Sequence, residues 1–262
     1  MPDPELSLVI PTLNERENIA PLMAELSQAL SGITWEAIVV DDGTDGTDAE
    51  VRRIAATDAR VRVLHRSGPG LSLASAVVDG FALACGVYVC VLDADLQHPP
   101  ARIPAMLSAA RRSGADIVVA SRYIRSGSAG GLASPLRRFY SVALAWLARA
   151  CFPRRLARIS DPLGGYFLVR REIVQGVCLR PLGYKVLLEV LIRCRWRVVR
   201  EVPYRFRPRR HGLSKADLPQ GILFLRHLAR LVWCCSPALA PTRAIVQSLG
   251  RRFRKRDRPS HD

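Results

Sequence analysis

The sequence predicts an α/β fold built on a mostly parallel central sheet. Short apolar runs alternate with stretches of helical apolar periodicity through the first 120 residues. Polar residues gather just after four of those runs, at positions a doubly wound sheet would bring to one crevice. No GxGxxG follows the first run and no GxxxxGK precedes a Ser or Thr, so dinucleotide and P-loop sites are disfavoured.

The elements follow in order. Leu6 to Ile10 is an apolar run stopped by Pro11. Asn14 is placed to cap the next helix, with Glu15 and Glu17 in its first turn and Ile19, Leu22, Met23, Leu26 and Leu30 on one face. Pro21 lies near that helix's start, where it is tolerated better than mid-helix. Ala37 to Val40 is a second strand ending at Asp41 and Asp42, and Thr47 to Ala56 a helix. Val61 to Leu64 is a third strand, and the loop Ser67–Gly70 leads to a helix running through Ala84. Tyr88 to Leu92 and Ile117 to Ala120 are the fourth and fifth strands.

Beyond residue 122 the pattern loosens. Ser126 to Gly131 reads as a flexible loop, Leu136 to Phe152 and Tyr184 to Arg193 as helices, Gly165 to Val169 and Val198 to Val202 as strands. From about Pro219, an apolar stretch is broken by Arg226, His227 and Arg230, which suits an amphipathic helix lying on a surface better than a spanning one. A second short helix and a basic, disordered tail complete the chain. The expected organisation is one α/β domain over 1–217, amphipathic membrane-associated helices over 218–250 and the tail over 251–262.

Net charge is +16, which calls for an anionic partner: nucleic acid, a phosphorylated ligand or an acidic membrane surface. A nucleic-acid module ranks low, because aromatic residues make up only 6% and the densest basic run holds a single Phe253. The seven cysteines form no CxxC pair and lie mostly in apolar runs, so reduced core thiols are expected. The N-terminus has no basic region followed by a long apolar segment, so a cytoplasmic location is expected.

VLDADLQHPP, residues 91–100, is the most informative stretch. It places Asp93 and Asp95 at the carboxyl end of a strand, where open α/β sheets bind ligands. Carboxylates this close repel unless a cation neutralises them, and a Mg²⁺ held by one or two carboxylates is completed by substrate phosphates. Gln97 adds an oxygen and His98 offers a nitrogen. The same residues also fit a polar turn in which Asp93 caps the helix starting near Pro100.

Eight segments then stand in a recognisable order: PTLNERENI, VVDDGTDGT, LDADLQHPP, SRY, DPLGGYFLVRREI, GYKVLLEVL, EVPYRF and RRHGLSK. Together they resemble the inverting, GT-A-fold glycosyltransferases of family 2, and the last five resemble the polyprenyl-phosphate (dolichyl-phosphate) mannosyltransferases. The resemblance covers roughly residues 5–217. It implies a Rossmann-like GT-A fold and transfer of mannose from GDP-mannose to a polyprenyl phosphate with Mg²⁺ or Mn²⁺.

Carried over position by position, it places Pro11, Leu13, Glu15, Val40 and Asp42 around the nucleoside, and Asp93, Ala94 and Asp95 along the nucleotide sugar. Asp93, Asp95 and Gln97 would hold the metal. Arg122, Arg137 and Ser141 would meet the acceptor phosphate, and Arg209 and Lys215 would close over the donor diphosphate. Asp93, Asp95 and Arg122 are the expected catalytic residues. With no spanning helix in the sequence, the lipid is expected to be met at the membrane surface or through a membrane-anchoring subunit; no nucleic-acid partner is expected, and the chain is expected to be peripheral on the cytoplasmic face.

Several positions depart from the family pattern. Leu13 stands where Tyr is usual, and VDDGTDGT and DPLGGY replace VDDNSPDGT and DPMSGF, which leaves a UDP-sugar donor or another acceptor as the alternative. Local readings also stand beside the functional ones: Arg137 and Arg138 as a solvated helix start, Asp161 as a turn former or a sugar contact, Tyr184 and Lys185 as a helix opening, and His211 as loop surface.

Overall fold

In a computed structural model the described residues are 3–130, 135–208 and 218–235, with side chains left aside at 135–140 and 218–219. Strands β1 (Leu6–Thr12), β2 (Trp35–Asp41), β3 (Val61–His65), β4 (Tyr88–Val91), β5 (Ile117–Ser121), β6 (Phe167–Arg170) and β7 (Val199–Pro203) form one sheet in the order β3-β2-β1-β4-β6-β5-β7. The pairs among β1 to β4 and the β5–β7 pair are parallel, while β6 runs antiparallel to both β4 and β5. The carboxyl ends of β1, β2, β4 and β5 therefore share one edge, as the polar clusters predicted.

Pro11 does not stop β1, which runs on to Thr12. The Thr12 carbonyl accepts from Asp42 N–H on the β2 side, so Pro11 turns its missing N–H toward β4. That strand has already ended at Val91, and little pairing is lost there.

Alternate strand residues enter two cores. Val9, Ile38, Val40, Val89, Val119 and Phe167 face one, and Leu8, Ile10, Val39, Cys90, Val118 and Leu168 the other. Helices α1 (Arg16–Ala29), α2 (Thr47–Ala55) and α4 (Ile103–Ser113) cover the second. Helices α3 (Leu73–Leu83), α5 (Pro135–Cys151), α8 (Val186–Arg193) and α9 (Leu218–Cys235) cover the first. The short helices α6 (Pro153–Leu156) and α7 (Arg171–Val174) were not legible in the sequence.

Asn14 does not cap α1, whose N-cap is Glu15. It sits at φ 59° and its Oδ1 accepts from Thr44 N–H (2.8 Å), stitching the loop after β1 to the loop after β2. The Glu15 N–H donates to Thr47 Oγ1 (3.0 Å), and a Cβ on Gly43 would come within 2.6 Å of the Asn14 nitrogen. The segment after β5 is anchored at its start rather than free, since Ser128 N–H donates to the Tyr204 carbonyl and Phe206 N–H to that of Ser128.

Helix α9 rests on the protein itself. Phe224, Leu228 and Leu231, spaced at one helix face, are buried, and each such side chain contributes about 1.5–3 kcal/mol. Ile222, Leu225 and Trp233 stay exposed on other faces. The expected second helix and basic tail lie outside the described residues. The expectation of core thiols holds for Cys90 and Cys194, which are buried, and in part for Cys151 and Cys235, which pack against the core. Cys85, Cys178 and Cys234 are exposed, because they sit in loops or on the outer side of α9.

Candidate active site

At the ends of β1 and β2, Asp41 is fully buried and accepts from Thr12 Oγ1 (2.8 Å) and Gly43 N–H (3.1 Å). Its other oxygen lies 3.1 Å from His65 Nδ1. Asp42 is clamped by Arg66, with Nε to Oδ1 at 2.8 Å and a terminal nitrogen to Oδ2 at 2.6 Å, and Arg66 also reaches Asp79 (2.7 Å). The aspartate expected beside the nucleoside is thus held by an arginine that sequence reasoning missed. Glu15 accepts from Asn18 Nδ2 (2.7 Å). Leu13 is exposed at the rim, whereas Val40 is fully buried within β2, paired with Pro11 and Leu64, and its carbonyl accepts from Thr12 Oγ1.

At the acidic turn, Asp93 N–H donates to His98 Nδ1 (3.0 Å). His98 is 2% exposed, stacked on Tyr166 with ring centroids 4.9 Å apart, and edged by Tyr204 and Phe206. Burial pushes its imidazole down to about 4. The expectation that His98 offers a nitrogen to a metal is therefore overturned: Nδ1 holds the turn, and the rest of the ring is packed among aromatics. Asp93 caps no helix either, since the residues before the turn of 3₁₀ helix at Pro100–Arg102 and before α4 are Pro99 and Arg102.

Leu96 takes φ 63° with its side chain buried, a cost of about 1 kcal/mol that fixes the turn's direction. Asp95 is buried and its Oδ1 accepts from Gln97 N–H (3.1 Å), while Gln97 Nε2 donates to the Arg207 carbonyl (2.9 Å).

The Asp93 side chain keeps 35% exposure. Gly165 lies beside it, where an added Cβ would stand 3.7 Å from Asp93 Oδ2. Two carboxylates and an amide oxygen form a hard-oxygen donor set, which fits Mg²⁺ or Mn²⁺ completed by phosphate oxygens. A second set exists: among the described residues, ligand atoms of Asp41, Asp48 and His65 lie within 4.8 Å of one another. Its Asp41 already has the three partners named above.

At the end of β5, Arg122 and Asp161 form a bidentate pair at 2.8 and 2.8 Å, with side chains 9% and 1% exposed. Burial alone would lower the Arg122 pKa, but Asp161 outweighs it and raises it. Asp161 thus orients the arginine, which neither reading of it from sequence foresaw. Tyr123 OH donates to Ser141 Oγ (3.2 Å), joining the residue after Arg122 to α5. Arg137 lies one helical turn before Ser141, with its side chain outside the described residues. Arg209, Lys215 and His211 also lie outside them.

Lys185 is the residue the sequence undervalued. It does not simply open a helix: its Nζ donates to the Leu163 carbonyl (3.0 Å), within the loop that carries Asp161 and Gly165. Burial and the Arg122 charge bring it down to about 7, against the pull of Asp161 and Asp93. No local pattern announces this role, because the partner is 22 residues away.

The family described as Glycosyl transferase family 2 matches residues 7–177. The chain belongs to that family. This family 2 glycosyltransferase is 37% identical over 228 residues to a protein named dolichol-phosphate mannosyltransferase from Pyrococcus furiosus, covering 87% of this chain and 64% of the relative. Proteins of the same name from Mycosarcoma maydis and Saccharomyces cerevisiae are 32% and 31% identical, each over 87% of this chain and 78% and 86% of their own. In fold, the glycosyltransferase is similar to Mycobacterium tuberculosis glucosyl-3-phosphoglycerate synthase, crystallised with Mn²⁺, UDP and phosphoglyceric acid. That match has TM-score 0.65 at 22% identity, covering 89% of this chain and 79% of the other. The architecture is GT-A, as expected.

Proposed function

We propose that this glycosyltransferase moves mannose from GDP-mannose to a polyprenyl monophosphate, inverting the anomeric centre to give a β-linked polyprenyl-phosphate mannose. One observation carries the reading. A single loop, 161–165, touches both Arg122 and the neighbourhood of Asp93, and would serve both halves of such a reaction. Asp161 grips Arg122, and Gly165 borders Asp93. The names of relatives at 31–37% identity support the donor and acceptor class.

A phosphate acceptor needs no general base. A phosphate monoester has its second pKa near 6, so at neutral pH it is already largely dianionic and needs no proton removed. The protein's work is to bring two anions together and stabilise the leaving diphosphate. Arg122, with Arg137 and Ser141, would hold the acceptor phosphate. Arg209 and Lys215 would meet the donor diphosphate. Asp93, Asp95 and Gln97 would hold Mg²⁺ or Mn²⁺, which supplies charge neutralisation of that diphosphate. Pro11, Leu13, Glu15, Val40 and Asp42 would frame the nucleoside, and Ala94 the sugar.

Among the described residues, no helix is long and apolar enough to cross a membrane. The lipid acceptor would then be met at the membrane's cytoplasmic surface, with the 218–250 segment and the basic tail beside it or through an anchoring subunit.

The test is a donor screen. Labelled GDP-mannose, UDP-glucose or UDP-N-acetylglucosamine is incubated with polyprenyl phosphate and Mg²⁺, and lipid is extracted. Label entering lipid from GDP-mannose supports the reading, and label entering only from a UDP-sugar overturns the mannose assignment.

A further inference from the structure

Residues 177–182 form no helix or strand, yet the strap from Arg180 to Lys185 is held at four polar atoms by other parts of the chain. Arg180 N–H donates to Glu189 Oε1 on α8 (2.9 Å). Leu182 N–H donates to His227 Nδ1 on α9 (3.0 Å). The Gly183 carbonyl accepts from Ala74 N–H on α3 (3.2 Å), and Lys185 Nζ reaches the Leu163 carbonyl (3.0 Å).

His227 is fully buried. Because its Nδ1 accepts, its proton sits on Nε2, which faces Glu189 Oε2 at 3.2 Å. Burial, then the charges of Arg230 and Arg193, push the ring down to about 4, so it stays a neutral acceptor for Leu182 at physiological pH. A histidine hidden between two helices, with one nitrogen spent on the backbone of an irregular strap, is an expensive arrangement for packing alone.

We propose that His227 is a positioning residue for sugar transfer: by fixing the strap at Leu182 it sets the reach of Lys185 to the Leu163 carbonyl, and so the placing of the loop between Arg122 and Asp93. The seating of α9 is thereby tied to the site. The link to turnover rests on the proposed function; the link between His227 and Lys185 does not.

The experiment has two arms. The chain's three lysines are Lys185, Lys215 and Lys255, so reductive methylation followed by peptide mass spectrometry reads Lys185 directly. His227→Phe removes the acceptor for Leu182, and Lys185 should be modified about tenfold faster than in the wild type. His227→Asn puts an oxygen where Nδ1 was, and Lys185 should keep wild-type protection although the Glu189 contact is lost in both variants. If His227→Phe does not fold, His227→Gln, whose amide reaches toward Glu189 and not Leu182, carries the same expectation.

In the second arm, kcat with GDP-mannose and polyprenyl phosphate should fall about tenfold in His227→Phe, the scale of one hydrogen bond. It should stay within about threefold in His227→Asn. In a Lys185→Met background His227→Phe should cost no further kcat. Unchanged Lys185 protection in His227→Phe, or additive losses of kcat, would overturn the proposal. A wild type that transfers no sugar would count against the donor and acceptor reading and leave the labelling arm to decide this one.

Discussion

Arg122 and Asp161 meet through two hydrogen bonds of 2.8 Å, across 39 residues of sequence, with both side chains almost out of water. Breaking such a pair strands a buried guanidinium. Asp161→Ala should therefore lower unfolding free energy by about 3 kcal/mol. Urea denaturation checks this, and a loss under about 1 kcal/mol would show that water already shares the pair.

His98 makes the fold acid-sensitive. In the unfolded chain its imidazole takes a proton near its ordinary 6.5, while in the fold it resists until about 4. Between those values the unfolded state binds more protons, so stability falls as pH drops, by up to about 1.4 kcal/mol per unit. His98→Asn retains an acceptor for Asp93 N–H without a titrating group. Its denaturation midpoints between pH 7 and 4 should decline less steeply than those of the wild type.

Gly165 separates stability from binding. A Cβ there would stand 3.4 Å from His98 Cε1 and 3.7 Å from Asp93 Oδ2, ordinary contact distances. Gly165→Ala should change the melting temperature little yet narrow the space beside Asp93. Calorimetry should show Mn²⁺-dependent GDP binding weakened about tenfold, and unchanged binding would remove Gly165 from the site.

Leu13 is 43% exposed at the crevice rim, where the family pattern has Tyr. Leu13→Tyr should tighten GDP binding by about tenfold through base stacking, at the low end of such gains. Tryptophan-independent titration by calorimetry reads this, and no gain would place the base elsewhere.

Strand positions and the acidic turn were legible because apolar runs and their polar ends are local signals. What the sequence hid depends on distant partners. The run Phe167–Arg170 carries no mark of direction, and only pairing with β4 and β5 shows that it runs antiparallel between them. Pro11 looked like a stop because its missing N–H faces a neighbour that sequence does not place. Asn14 looked like a cap, but its oxygen serves Thr44, 30 residues away. Asp161, Lys185, Arg66 and His98 acquire their roles only when Arg122, Leu163, Asp42 and the Asp93 backbone arrive beside them.

The most direct measurement is a crystal structure with GDP and Mn²⁺, phased to locate the ion by its anomalous signal. Manganese should lie between the diphosphate and the carboxylates of Asp93 and Asp95, with oxygen ligands at about 2.2 Å, and be absent from Asp95→Ala. An ion held instead by Asp41, Asp48 and His65, with the 93–97 turn empty, would contradict this.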